Sequence, residues 1–326
     1  LIELINALPE ELYNITLVLL DSDNEYAYRL KKNVNIVQLT FNSSFAKSLV
    51  SMYAFPAKVL KKLSVNSFIA YYDFISNCVT NVFEKTYDIA IDFYGYGSFV
   101  TAFLATKIQA KKKATWLHDE KPYWMKSVQK YLCEYDKIYG VSQAVVDAFC
   151  REYPHYKDKA AVFYNVIDIE EIKRKSEQDE IIPFKESFNI VTVGRLTEQK
   201  GYDIAIKAAS ILKKRKINFA WYAIGGGRDE KKLKKLVEKY CLENQFVFLG
   251  RKKNPYPYMK HCDLYVQPSR HEGYVITLVE ARALCLPILS SDIPSAREQI
   301  QDGINGYVAE LSAEDLADKI EYLYNN

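Results

Sequence analysis

The sequence predicts an α/β protein of two Rossmann-like domains, each built on a parallel sheet and facing the other across a cleft. Three observations predict it. Short β-branched runs alternate with longer amphipathic stretches from one end of the chain to the other, and that alternation implies parallel sheets covered on both faces by helices. A polar, charge-rich segment without apolar periodicity, DIEEIKRKSEQDEIIPFKES, interrupts the pattern near the middle. At 326 residues the chain is long enough for a domain on each side of that segment.

The first-half strands are read as NITLVLL (14–20), NIVQL (35–39), DIAIDF (88–93), KATWLH (113–118), KIYGVS (137–142) and AAVFYNV (160–166). The second-half strands are FNIVTVG (188–194), NFAWYAIG (218–225), QFVFLG (245–250), DLYVQP (263–268) and LPILSS (286–291). Helical stretches such as YDIAIKAASILKKRK and RDEKKLKKLVEKYC lie between them. The reading is thus an N-terminal domain over 1–166, a linker over 167–184 and a C-terminal domain over 185–326.

Composition excludes several classes. Hydrophobic residues make up 49% and charged residues 26%, as in ordinary soluble domains. No apolar run approaches the roughly 18 residues that would mark a membrane span, and no signal peptide is visible. The six cysteines are scattered without a C-x-x-C pair, which argues against a disulfide framework or a zinc site and fits a cytoplasmic protein. A net charge of +3 does not mark a nucleic-acid binder. Residues 41–130, however, hold twelve lysines against six acids. There, Lys58, Lys61 and Lys62 interleave with Leu60, Leu63 and Phe68, and Lys111, Lys112 and Lys113 follow. Such interleaving suits an anionic membrane surface, and a solvated basic helix face produces it equally well.

Four features of the second half fall where open α/β sheets bind ligands, at the C-terminal ends of strands. In VGRLTEQKG, Arg195 and Lys200 flank a turn, a fork and a point charge suited to a diphosphate. In AIGGGRDEKKL, Gly225 and Gly226 permit close backbone approach to a ligand. The G-x-G-x-x-G spacing of a dinucleotide dehydrogenase is missing. In SRHEGYVITLVEARAL, a helix begins near Gly273, Tyr274, Val275, Ile276 and Thr277, and its first amides are ready for an anion. Glu272 lies just before that helix and Glu280 within it. Eight helical residues rise about 12 Å, an upper bound here and close to the span from ribose to hexose in a nucleotide diphosphate sugar. The closing stretch, SSDIPSAREQIQDGINGYV, reads as scaffolding that orients this helix.

Together these segments resemble the family 4 retaining glycosyltransferases of the GT-B fold. The resemblance runs from YGVSQAVVDAF and VFYNVIDIEE through VGRLTEQKG, FLG and CDLYVQPSRHEGYVITLVEA to LPILSSDIPSAREQIQDGINGYV. It implies that Arg195 and Lys200 hold the donor diphosphate, Glu272 the sugar hydroxyls and Glu280 the ribose. WLHDE resembles the family's cleft-facing loop, which implies a place for His118 near the reacting centre. The implied donor is a UDP- or GDP-linked sugar acting as co-substrate, with no cofactor and no metal. The implied acceptor is a saccharide or lipid-linked saccharide, met in the cytoplasm or on the inner face of the membrane.

Departures accompany the resemblance. The family commonly has glycine where Val275 stands, and often where Cys285 or Val166 stands. Its opening strand with a glycine-rich loop and its long final helix have no counterpart here, which implies a longer protein. DSD (21–23) matches the D-x-D of metal-dependent glycosyltransferases of another fold, but reads as a polar turn after a strand. Two alternatives stay open at this level: a non-catalytic sugar-nucleotide-binding subunit of a glycosyltransferase pair, and an epimerase of sugar nucleotides on the same architecture.

Overall fold

A computed structural model describes residues 1–20, 27–31, 33–42, 65–81, 83, 85–95, 98–178, 184 and 187–326. DSD (21–23) and the lysines at 58, 61 and 62 lie outside the described residues, as does the side chain of Phe68. The chain divides into two units, Leu1–Ile167 and Asp168–Asn326.

In the first unit, β1 (Thr16–Leu19) and β2 (Asn35–Gln38) form a two-stranded parallel sheet. Strands β3 (Tyr87–Asp92), β4 (Ala110–Leu117), β5 (Lys137–Gly140) and β6 (Ala160–Val162) form a second, all-parallel sheet in sequential order. Its helices start where the sequence supplies a hydroxyl cap. Ser98 Oγ accepts from Val100 N–H before Phe99–Lys107, and Ser142 Oγ accepts from Val145 N–H before Gln143–Glu152. Strand β6 ends at Val162, four residues short of the sequence reading.

The lysine run that suggested a membrane surface lies on β4, between β3 and β5. Lys111 pairs with Asp88, Lys112 with Asp136, and Lys113 donates to Ala105 O. These three charges are engaged within the unit. Among the described residues no helix is long and apolar enough to cross a membrane.

The second unit contains a six-stranded parallel sheet in the order β12-β11-β10-β7-β8-β9, with β7 Phe188–Val193, β8 Phe219–Ile224, β9 Phe246–Gly250, β10 Leu264–Gln267, β11 Ile288–Ser291 and β12 Tyr307–Ala309. Every residue of β8 is buried, as expected of a strand covered on both faces. Adjacent residues serve opposite cores. Ile190 joins Trp221, Leu264 and Leu289 beneath helix Tyr202–Lys214 and helix Ala313–Asn325. Val191 joins Tyr265, Ile288, Leu278 and Met259 on the other face. Ala205, Ala208 and Ala209 are fully buried, so the first of those helices approaches the sheet closely.

Two sequence expectations change here. The segment read as a linker begins instead with a helix, Ile169–Ser176, capped by Asp168, whose Oδ1 accepts from Glu171 N–H. That helix packs on Tyr256–Lys260 and Ile276–Ala283, so it belongs to the second unit. Its charges hid this role: only Ile172 and Ser176 are buried on it. The loop expected to close the unit contains strand β12, paired in parallel with β11.

Candidate active site

The sheet order of the second unit reverses between β7 and β10, and in open α/β sheets the crevice outside such a reversal is where ligands bind. The ladder across this reversal is short. β7 pairs with β8 over six residues, but with β10 only at Leu264–Ile190 and Tyr265–Val191. Beyond that point the Val266 carbonyl takes the Thr192 hydroxyl (2.8 Å), and Trp221 Nε1 donates to Thr192 Oγ1 (3.0 Å). Side chains satisfy the backbone where the ladder stops.

The loops leaving β7 and β10 are stitched together over this opening. Arg270 N–H donates to Gln199 O (2.8 Å), and Gln199 Nε2 to His271 O (3.0 Å). The Arg270 guanidinium grips Asp203 through two 2.8 Å bonds and reaches Glu198 O (2.7 Å). Gly201 has φ +67°, and a Cβ there would lie 1.8 Å from Pro268 O, so only glycine allows this contact.

The stitching brings Lys200 to Glu272, with Nζ 2.6 Å from Oε1. The Lys200 and Glu272 side chains are only 15% and 9% exposed. The same oxygen accepts from Ser269 Oγ at 2.7 Å and lies 3.5 Å from Gln267 Nε2. Glu280 lies on helix Ile276–Ala283, where Tyr256 OH donates to its Oε1 (3.0 Å). Burial raises the Glu280 pKa above the usual carboxylate value, while the Tyr256 bond and the Lys200 charge oppose that shift. Lys200 therefore acts electrostatically on both carboxylates. The helix has Val275 as its N-cap and no side-chain cap bond; the Ile276 and Leu278 amides donate to Tyr274 O (3.0 Å) and Val275 O (3.1 Å), which leaves the Thr277 amide of the first turn for another acceptor. Among the described residues, no group of three or more His, Cys, Asp or Glu side chains could hold a metal ion.

The first unit has its own polar cluster at the C-terminal ends of β3 and β4. Asp92 is fully buried and accepts from Thr101 Oγ1 (2.6 Å), Thr115 Oγ1 (3.0 Å) and Gly95 N–H (2.9 Å). Burial still raises its pKa above the ordinary value. His118 Nε2 lies 2.7 Å from Phe93 O, and the imidazole packs edge-on to the Phe93 ring. Burial lowers the His118 pKa, against the raising effects of that carbonyl and of Asp92.

Comparisons with known proteins bear directly on the second unit. A profile of the family described as Glycosyl transferases group 1 matches residues 173–326, nearly the whole unit. The second unit belongs to the group 1 glycosyltransferases. An uncharacterized glycosyltransferase of Methanocaldococcus jannaschii is 33% identical over 172 residues, covering 52% of this chain and 40% of its own. A Campylobacter jejuni enzyme, an N-acetylgalactosaminyltransferase named for a diphospho-undecaprenol-linked saccharide, is 32% identical over 157 residues, covering 48% and 41%. The chain spans about 40% of the length of these two curated relatives. The Anabaena protein HepE, solved with UDP and glucose, matches with a TM-score of 0.66 at 19% identity over 94% of this chain and 81% of its own. The fold class is GT-B, as expected from the sequence.

Within this glycosyltransferase unit the candidate residues separate into those that meet and those that do not. Lys200 and Glu272 touch, and Glu280 feels the same ammonium. Arg195 is exposed on the same loop, with no side-chain partner among the described residues. Gly225 and Gly226 do lie beside that loop, but the glycines of this segment are explained by the protein itself. A Cβ at Gly225 would sit 1.9 Å from Gly194 O, and one at Gly227 would sit 2.3 Å from Leu196 O. At Gly225 the close approach is thus made to the neighbouring loop, whereas a Cβ at Gly226 would meet only the Arg251 side chain, 3.0 Å away.

Gly273 is buried, Tyr274 half-buried and Ile276 exposed, while Thr277 Oγ1 is spent on Gln267 Oε1 (3.0 Å). The Val275 side chain packs in the core, leaving only its backbone for a donor. The closing segment does hold this helix: Arg282 Nη1 donates to Gln299 O (2.9 Å), and Gln299 Nε2 reaches Val275 O (3.4 Å). His118 belongs to the first unit.

Sequence reasoning missed Gln267, Ser269, Tyr256, Arg270 and Asp92. Ser269 and Arg270 stood inside a segment already singled out, but nothing in a single sequence distinguishes a serine aimed at a carboxylate from a loop serine. Cys285, at a position where the family often has glycine, has φ +58° and needs the left-handed region that glycine favours. Val166 is exposed and has no positive φ.

Proposed function

We propose that the chain is a retaining hexosyltransferase. It moves a hexose from a UDP- or GDP-linked sugar to a hydroxyl of a lipid-linked saccharide or cell-surface polysaccharide precursor. The observation that carries this reading is the Lys200–Glu272 pair at the switch point, 2.6 Å across, with Glu280 under the influence of the same charge. A cation between two carboxylates suits a diphosphate with a sugar on one side and a ribose on the other. Membership of the second unit in the group 1 glycosyltransferases supports the donor assignment. The name of the C. jejuni relative, with its diphospho-undecaprenol-linked saccharide, supports a lipid-linked acceptor at a membrane face.

In this reading the bond between the anomeric carbon and the diphosphate oxygen breaks while the acceptor oxygen bonds to the same face. The departing diphosphate takes the acceptor proton. Arg195, Lys200 and the Thr277 amide at the start of helix Ile276–Ala283 stabilise the leaving charge without a metal. Glu272 holds the sugar in the orientation that reaction needs, and orientation alone removes much of the barrier. His118, its pKa lowered, belongs to the acceptor side as a neutral imidazole.

The test is a panel of UDP- and GDP-linked sugars incubated with the full-length protein, with slow hydrolysis and transfer followed and the configuration of the product determined. Release or transfer of sugar with retained configuration is expected. Return of a sugar nucleotide of altered stereochemistry would make the protein an epimerase, and binding without turnover a non-catalytic subunit.

A further inference from the structure

We infer that Ser269 and Gln267 are positioning residues of the donor site, which commit one oxygen of Glu272 to the protein so that the other alone is presented to the sugar. The inference rests on the donor-site reading above. Glu272 Oε1 takes the Lys200 ammonium at 2.6 Å, the Ser269 hydroxyl at 2.7 Å and the more distant Gln267 amide at 3.5 Å. Oε2 has no partner among the described residues. One oxygen of this largely buried carboxylate is saturated, and the other is open.

The donors are themselves held in place by a chain of buried groups. Tyr265 OH and Thr277 Oγ1 both donate to Gln267 Oε1. The Glu272 carboxylate oxygen, an acceptor, sets the Gln267 amide nitrogen rather than its oxygen on that side. Its Nε2 then has two protons to give: one goes to Ser269 Oγ (2.6 Å) and the other points at Glu272 Oε1. Ser269 Oγ accepts from Gln267 and gives its one proton to the Glu272 carboxylate, which accepts. Below it, the Ser291 hydroxyl donates to Ser269 O and so fixes the backbone. Gln267 and Ser269 are 1% and 0% exposed, so neither can touch an acceptor in solution. A satisfied buried polar chain of this kind is rigid, and leaving any member unpaired is costly. The chain runs from the strand end to the carboxylate, and its chemical consequence is a fixed direction for Oε2.

The experiment uses the full chain, with Ser269→Ala, Glu272→Gln and the double variant, and two readouts. One is kcat/KM for turnover of whichever sugar nucleotide the wild type uses; the other is calorimetric binding of bare UDP and GDP. Ser269→Ala removes a hydrogen bond to a charged group, which corresponds to a loss of roughly tenfold or more in kcat/KM. Binding of the bare nucleotide stays unchanged, because it lacks the sugar. In the Glu272→Gln background, adding Ser269→Ala costs little further, since both act through one carboxylate. Ser269→Cys, which keeps a small side chain but donates weakly, falls between wild type and Ser269→Ala while still binding nucleotide. Equal losses from Ser269→Ala in both backgrounds, or no loss in either, would overturn the inference while leaving the donor site standing. A wild type that neither binds nucleotide nor turns over any sugar nucleotide would overturn the donor reading and this inference with it.

Discussion

Replacing Glu280 by glutamine should make the protein more stable and a poorer nucleotide binder at once. Glu280 is partly buried and accepts one hydrogen bond, from Tyr256 at 3.0 Å, and its pKa is raised chiefly by burial. A carboxyl whose folded pKa lies above its unfolded value binds protons more tightly when folded. Stability therefore falls as pH rises from the unfolded value of about 4.5 through the folded pKa, and the penalty persists at pH 7. Glu280→Gln removes that penalty and keeps an acceptor for Tyr256, so the variant should exceed wild type in urea midpoint at pH 7. The two should converge below about pH 4.5, where the carboxyl is protonated in both states. Nucleotide binding should move the other way. A charged acceptor for ribose hydroxyls is worth about 1.5–3 kcal/mol, or roughly ten- to a hundredfold in Kd. Calorimetry with UDP and GDP reads this directly. Glu272→Ala serves as the contrast: it should bind bare nucleotide nearly as wild type and lose sugar transfer. If Glu280→Gln binds nucleotide like wild type, Glu280 is only a helix residue. If Glu272→Ala also transfers normally, the pair of glutamates does not grip a donor.

Three further outcomes are expected. Lys216, Cys241 and Cys285, with φ of 59°, 52° and 58°, each directly follow the capping residue of a helix and close it with a bond such as Leu286 N–H to Ala281 O. Since the left-handed region costs a non-glycine residue about 1–2 kcal/mol and glycine loses about half of that gain to chain entropy, each glycine substitution should add about 0.5–1 kcal/mol, additively, by urea denaturation. Sugar transfer should survive excess chelator; complete loss, restored by magnesium or manganese, would contradict a metal-independent reaction. Full-length protein should co-sediment with anionic vesicles at low salt and release at high salt, and Lys111→Ala with Lys112→Ala should change this little, because both lysines are already paired; equal binding to neutral vesicles would remove the electrostatic argument.

The sequence by itself determined the layered architecture of this protein and singled out the segments proposed to form its donor site. Strands such as FAWYAI carry a continuous apolar run because both faces are covered, and runs of this kind are readable without coordinates. The roles of Glu272, Glu280, Arg195 and Lys200 came from the family resemblance; the structure brings Lys200 to Glu272, sets Glu280 under the same charge and leaves Arg195 exposed. Local composition misled where burial is confined to a narrow stripe. The helix Ile169–Ser176 looked like a linker because its two buried residues are outnumbered by charges, and only its packing against the second unit assigns it there. Gly225 and Gly226 were read as ligand-facing because a sequence shows that backbone comes close to something, not to what; at Gly225 the partner is Gly194 O, and at Gly226 the nearest group is the Arg251 side chain. Tertiary structure alone decided the short ladder between β7 and β10, the pairing of Lys200 with Glu272 across 72 positions, and the buried chain through Gln267 and Ser269. Each of these depends on which strands become neighbours when the sheet order reverses, and hydrogen-bond direction and burial are properties of that neighbourhood rather than of any stretch of chain.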